Sequence, residues 1–95
     1  MANKTEAEQL PVQINTIDEV SRGRYSNLLL VSHGPDEFIL DWLLNSPNGP
    51  HLLSRIIISP GNAKRVIEAL KANVEKYEQM FGAINLVELP EQNIH

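Results

Sequence analysis

The chain has 95 residues, 42% of them hydrophobic, a net charge of −4 and no cysteine. That describes one domain with a thin core, without disulfides or thiolate metal sites. It also lacks the cationic stripe that phosphate-dominated nucleic-acid binding wants.

The acids gather at the ends. Residues 1–20 carry −3, residues 21–59 balance to 0, residues 60–81 carry +1 and residues 82–95 carry −2. No apolar h-region follows Met1 and no apolar run approaches membrane-spanning length, so neither standard secretion nor a membrane span is expected. A chain without cysteine fits the cytoplasm.

Residues 1–11, "MANKTEAEQLP", are polar with little to bury and predict a disordered N-terminal tail. "VQIN" (12–15) alternates apolar and polar, as an edge strand does. "DEVSRGRYS" (18–26) reads as a charged loop turning at Gly23. "YSNLLLVSH" (25–33) predicts a strand. "GPDE" follows as a turn, with Pro35 and Asp36 at its central positions. "EFILDWLL" (37–44) is the next strand, "NSPNGP" (45–50) a longer loop, and "HLLSRIIIS" (51–59) a third strand whose β-branched run favours a pleated surface.

A helix is predicted over 60–81. Ser59 suits its N-cap, Pro60 its first position and Gly82 the residue that closes it. Lys64–Glu68 and Lys71–Glu75 stand four apart on its surface. The apolar stretch from Ile84 to Leu89 could dock as an arm before Pro90 ends it. The expected fold is α+β: an antiparallel meander of three to four strands, then one long C-terminal helix packed on the sheet, with a domain over 12–84 and a tail over 85–95.

A strand covered on one face alternates apolar and polar, whereas one buried on both faces reads as a continuous apolar run. Leu28–Val31, Phe38–Leu40, Trp42–Leu44 and Ile56–Ile58 are runs of the second kind. One helix covers one face, so a second copy of the chain is expected on the other. Leu29, Val31, Phe38, Leu40, Trp42, Ile57, Tyr77 and Phe81 are the interface candidates. Along the helix, Ala63, Ile67, Leu70, Val74, Tyr77 and Phe81 are spaced 4,3,4,3,4, the rhythm of a helix seam. Val66 widens the stripe, and packing on the chain's own sheet is the favoured use of it.

Few residues carry chemistry. Ser32 and His33 are adjacent on a strand, so they point to opposite faces and form no catalytic pair. His33 could reach Asp36 across the turn. Asp41 and Arg55 each interrupt an apolar run, and a carboxylate there needs a partner, so a structural ion pair between them is predicted. His33, His51 and His95 have no metal-ligand spacing. No catalytic residue, metal or cofactor is expected. The alternative to a protein-binding module is a nucleic-acid site on a local basic patch, from Arg22 and Arg24 or from Lys64, Arg65 and Lys71, doubled in a dimer. A third reading places a ligand pocket at the subunit interface, with Asp41, Arg55 and His33 as its polar groups.

"YSNLLLVSHGPDEFILDW" and "SRIIISPGNAKRVIEALKANVEKYEQMFG" resemble a family of small prokaryotic proteins, DUF3467. The resemblance rests on "YSN" opening a strand, "SH" facing "EF" across a turn, the "D" plus aromatic that follows, "SR" before the "SP" cap, and "NVEKYE" late in the helix. It implies no catalytic residues. Some members' genes lie near those for the large subunits of RNA polymerase, which implies an accessory protein of the transcription machinery. The expected function is thus a non-enzymatic, homodimeric module that binds another protein, with RNA polymerase a candidate partner implied by the resemblance.

Overall fold

Strand pairing organises the chain. The computed structural model describes residues 13–87, and within them β1 (Leu28–His33), β2 (Phe38–Ser46) and β3 (Gly49–Ile58) form an antiparallel sheet in the order β1-β2-β3. A short helix, α1 (Asp18–Arg22), precedes it and a long one, α2 (Pro60–Phe81), follows it. This is the expected α+β layout. The expected tail over 1–11 lies outside the described residues, as does the end of the expected C-terminal tail.

Several local expectations change. Residues 13–15 of the expected edge strand have no strand structure, and Val12 lies outside the described residues. The expected charged loop contains α1. Its acids Asp18 and Glu19 sit in the first turn and Arg22 in the last, which suits the helix dipole, and Arg22 closes onto Asp18 at 2.7 Å. Gly23 ends it with φ 78, a backbone that glycine adopts without a Cβ penalty.

The loop expected over 45–50 is a tight hairpin. Asn45 pairs with Pro50 and Ser46 with Gly49, leaving Pro47 and Asn48 as the turn. The Ser46 hydroxyl accepts from the Asn48 N–H and donates to the Gly49 carbonyl, both at 3.3 Å. Gly49 supplies a positive φ of 102. Pro50 is tolerated because β3 is an edge strand. The first hairpin turns at Pro35 and Asp36, with the Gly34 N–H donating to the Glu37 carbonyl at 3.0 Å.

The "YSN" stretch fastens the start of β1. Ser26 Oγ donates to the Leu43 carbonyl at 2.8 Å. The Asn27 amide imitates a strand residue: its Nδ2 donates to the Asn45 carbonyl at 3.0 Å while its Oδ1 accepts the Asn45 N–H at 2.7 Å. The side chain thereby satisfies backbone groups that β1 is too short to reach.

Helix α2 runs over the expected residues. Ser59 Oγ accepts the Asn62 N–H at 3.1 Å, Pro60 occupies the first turn and Gly82 closes the helix with φ 97. Lys64–Glu68 and Lys71–Glu75 do not close as ion pairs; within 4 Å the described residues hold Asp18–Arg22 and Asp41–Arg55.

The packing of α2 differs from expectation. Close packing between elements is strand on strand, and α2 touches the sheet only sparsely. Ala63 and Val66, near its start, are half-buried, but Ile67 is 65% exposed and Phe81 67%. The cause is the connection. Ser59 alone separates β3 from α2, whereas a helix that reverses over its sheet needs a loop of about 2–6 residues. The helix therefore projects from the end of β3. No side chain among the described residues is buried. The Cα radius of gyration is 15.7 Å, against about 12 Å for a compact chain of this length.

Candidate interaction surface

Directly opposed residues of an antiparallel pair share a face. The register therefore sorts the sheet. One face carries Leu29, Val31 and His33 from β1, Phe38, Leu40 and Trp42 from β2, and Ile56 and Ile58 from β3. The other carries Leu28 and Leu30, Ile39, Asp41 and Leu43, and Arg55 and Ile57. Both faces are apolar, as continuous runs of apolar residues dictate. The interface candidates do not form one patch: Ile57 stands on the face opposite Leu29, Val31, Phe38, Leu40 and Trp42.

Asp41 and Arg55 are direct partners across β2 and β3. The guanidinium grips the carboxylate through two bonds, Nε to Oδ1 at 2.7 Å and Nη2 to Oδ2 at 2.9 Å. The Asp41 side chain is 18% exposed and that of Arg55 55%. The hydrogen bonds from Arg55 hold the Asp41 carboxyl below its ordinary range, aided by the opposite charge and opposed by desolvation. A depressed carboxylate stabilises the fold above its unfolded pKa and ceases to do so as pH falls through the folded value. Acid unfolding of the chain should thus have a component that begins near about pH 4 and extends below it. Asp41→Asn should remove that component, giving a shallower acid limb and lower stability at neutral pH. Urea titrations of both proteins between pH 2 and 7 measure it, and parallel acid limbs would contradict the assignment.

The ligand-pocket constellation of Asp41, Arg55 and His33 is not assembled. Asp41 and Arg55 occupy one face, while His33 lies on the other at the tip of β1. The His33 ring packs on Phe38, with centroids 5.4 Å apart, and makes no hydrogen bond to Asp36. Among the described residues no group of three or more His, Cys, Asp or Glu could hold a metal ion.

One cleft escapes the sequence reading. A register shift between Trp42 and Leu43 leaves Leu53 unpaired in β3, a bulge. It brings Leu53 to the floor of an open cleft of about 560 Å³ beside Trp42 and Ile56, with Glu19, Val20 and Arg24 along its α1 side. Neither α1 nor the bulge carries a periodic signal that a sequence could reveal.

The cations do not form a patch of one sign. Arg22 is engaged with Asp18, and Arg24 lines the cleft with Glu19. Lys64, Arg65 and Lys71 share α2 with Glu68, Glu75 and Glu78. Among the described residues no helix is long and apolar enough to cross a membrane.

The stripe of α2 is an exposed apolar surface. Leu70 is 58% exposed, Val74 42% and Tyr77 50%, and Met80 flanks them at 75%. Tyr77 and Phe81 stack on one another with ring centroids 4.9 Å apart. Glu78 accepts the Ile84 N–H at 2.9 Å, fastening the chain beyond the helix. Of the apolar segment that follows, Leu86 and Val87 are exposed, and Leu89 lies outside the described residues.

The family model described as a protein of unknown function (DUF3467) matches residues 1–86. The chain belongs to the DUF3467 family. No match is found among curated proteins or among solved structures. In this DUF3467 chain the residues that carry the family resemblance have structural work. Ser26 and Asn27 pair β1 to β2, His33 packs on Phe38, Asp41 grips Arg55 and Ser59 caps α2. Val74 and Tyr77 of "NVEKYE" stay about half exposed.

Proposed function

We propose that the protein is a non-enzymatic interaction module that acts as a homodimer. The observation that carries this reading is the unburied apolar surface: a sheet apolar on both faces and a helix stripe that the sheet does not cover. Net stability is a small difference between burial and conformational entropy. A chain whose described residues are at best half-buried has little of the favourable term, and a second copy adds to it through a two-fold contact. The separation of His33 from Asp41 and Arg55 supports the non-enzymatic part.

Light scattering on the chromatographed protein at micromolar concentration tests the dimer. The expected mass is twice the 10.7 kDa of the chain, and a monomer at that concentration would refute the reading. The family resemblance adds RNA polymerase as the protein partner, tested by copurification of its large subunits with the tagged dimer.

A further inference from the structure

We infer that two copies pair through α2 in antiparallel orientation, about a two-fold axis at Ala72. This deepens the homodimer reading and rests on it. The occupant of the exposed stripe is the same stripe of a second chain, and the residues along α2 say in which direction it runs.

In the seam rhythm, Ala63, Leu70 and Tyr77 take one core position and Ile67, Val74 and Phe81 the other. An antiparallel partner sets these against each other as Ala63 with Phe81, Ile67 with Tyr77 and Leu70 with Val74, each layer occurring twice. The smallest residue meets one of the largest, so volume stays even along the seam, as close packing requires. A parallel partner would set Ala63 on Ala63 and Phe81 on Phe81. That leaves a gap at one end and a crowded contact at the other.

The flanks agree. Antiparallel pairing brings Lys64 of each chain beside Glu78 of the other, giving two ion pairs across the seam. On the opposite flank Val66 meets Met80, both apolar, and Asn73 meets its own copy. Lys71 also meets its own copy at the axis. That one like-charge contact is offset by Glu68 and Glu75, three and four residues away on each helix. Parallel pairing would instead place Val66 by Lys71 and Asn73 by Glu78, with no ion pair at all.

The placement of the sheet agrees as well. Each sheet is joined to the start of its own α2 by Ser59 alone. In an antiparallel pair the Tyr77–Phe81 end of one helix returns to the start of the other, beside Ala63 and the end of β3. The Tyr77–Phe81 end of each chain thereby lies near the other chain's sheet, where apolar surface is open.

Spin labels on the full-length protein read the direction. The chain has no cysteine, so Arg65→Cys, Ala72→Cys and Gln79→Cys each carry one label, all on the side away from the seam. Antiparallel pairing separates the two labels along the axis by about 21 Å at 65 and at 79, and by almost nothing at 72. The expected result is the shortest distance at 72, with longer and similar distances at 65 and 79. Equal distances at the three sites, or a minimum elsewhere, would overturn the inference while leaving the dimer standing. A monomer in light scattering would remove both.

Charge exchange gives a second readout. Lys64→Glu alone should weaken dimerisation about tenfold, because two attractions become two repulsions. Combining it with Glu78→Lys should recover most of that loss. Failure of the pair to recover would overturn the assignment of Lys64 to Glu78.

Discussion

Leu70→Glu is expected to dissociate the dimer and leave a monomeric chain of lower stability. Leu70 is 58% exposed on the isolated protomer, so in that state a glutamate there meets water and costs little. In the paired state the same position lies in the two layers next to the axis. Burying one leucine side chain is worth about 1.5–3 kcal/mol, and the symmetry of the dimer counts the loss twice. The dissociation constant should then rise by about 10²–10⁴-fold, before the cost of placing a carboxylate in the seam is added. Sedimentation over a range of concentrations measures it. Leu70→Met retains the volume and apolar character and should leave the dimer nearly intact. Equal dimerisation of wild type and Leu70→Glu would place the interface elsewhere, on the sheet.

The parts of this fold that a sequence reader can see are those with local causes. Ser59 and Pro60 open α2 and Gly82 closes it because each fills a backbone need at a helix end, and those needs do not depend on the rest of the molecule. Asp41 and Arg55 are visible because each breaks an apolar run, and they stand opposite each other with two bonds between them. The helix α1 is five residues long, too short for a period to show, and its signal was only the charge order of Asp18, Glu19 and Arg22. The hairpin at Pro47 and Asn48 is hidden by its own turn formers: Asn45, Ser46, Gly49 and Pro50 resemble a loop, yet all four sit in strands.

The packing of α2 is hidden from the sequence for a different reason. A stripe of period 3.5 establishes that one face is apolar, but not which surface takes it. The deciding fact was the length of the link, Ser59 alone between β3 and α2, and that fact is legible once the strand and helix ends are known. The bulge at Leu53 and the cleft it helps to build depend on the pairing of β2 with β3, which no local pattern encodes.

The thermal midpoint of the wild-type protein should climb with concentration. If the favourable burial term arises when two chains meet, folding and association are one equilibrium, and mass action enters the stability. A hundredfold increase in protein concentration stabilises such a dimer by about 2.7 kcal/mol, since each tenfold step is about 1.4. For a unit of two 95-residue chains, each kcal/mol moves the midpoint by about 2–4 °C. The expected rise is therefore about 5–10 °C over a concentration span of about 100-fold. Leu70→Glu should show a lower midpoint that does not move with concentration, because its chains no longer couple. The comparison separates two causes of an unburied protomer. A wild-type midpoint that stayed flat would mean the chain stabilises itself alone, through contacts of α2 with its own sheet, and the exposed stripe would then need no second copy.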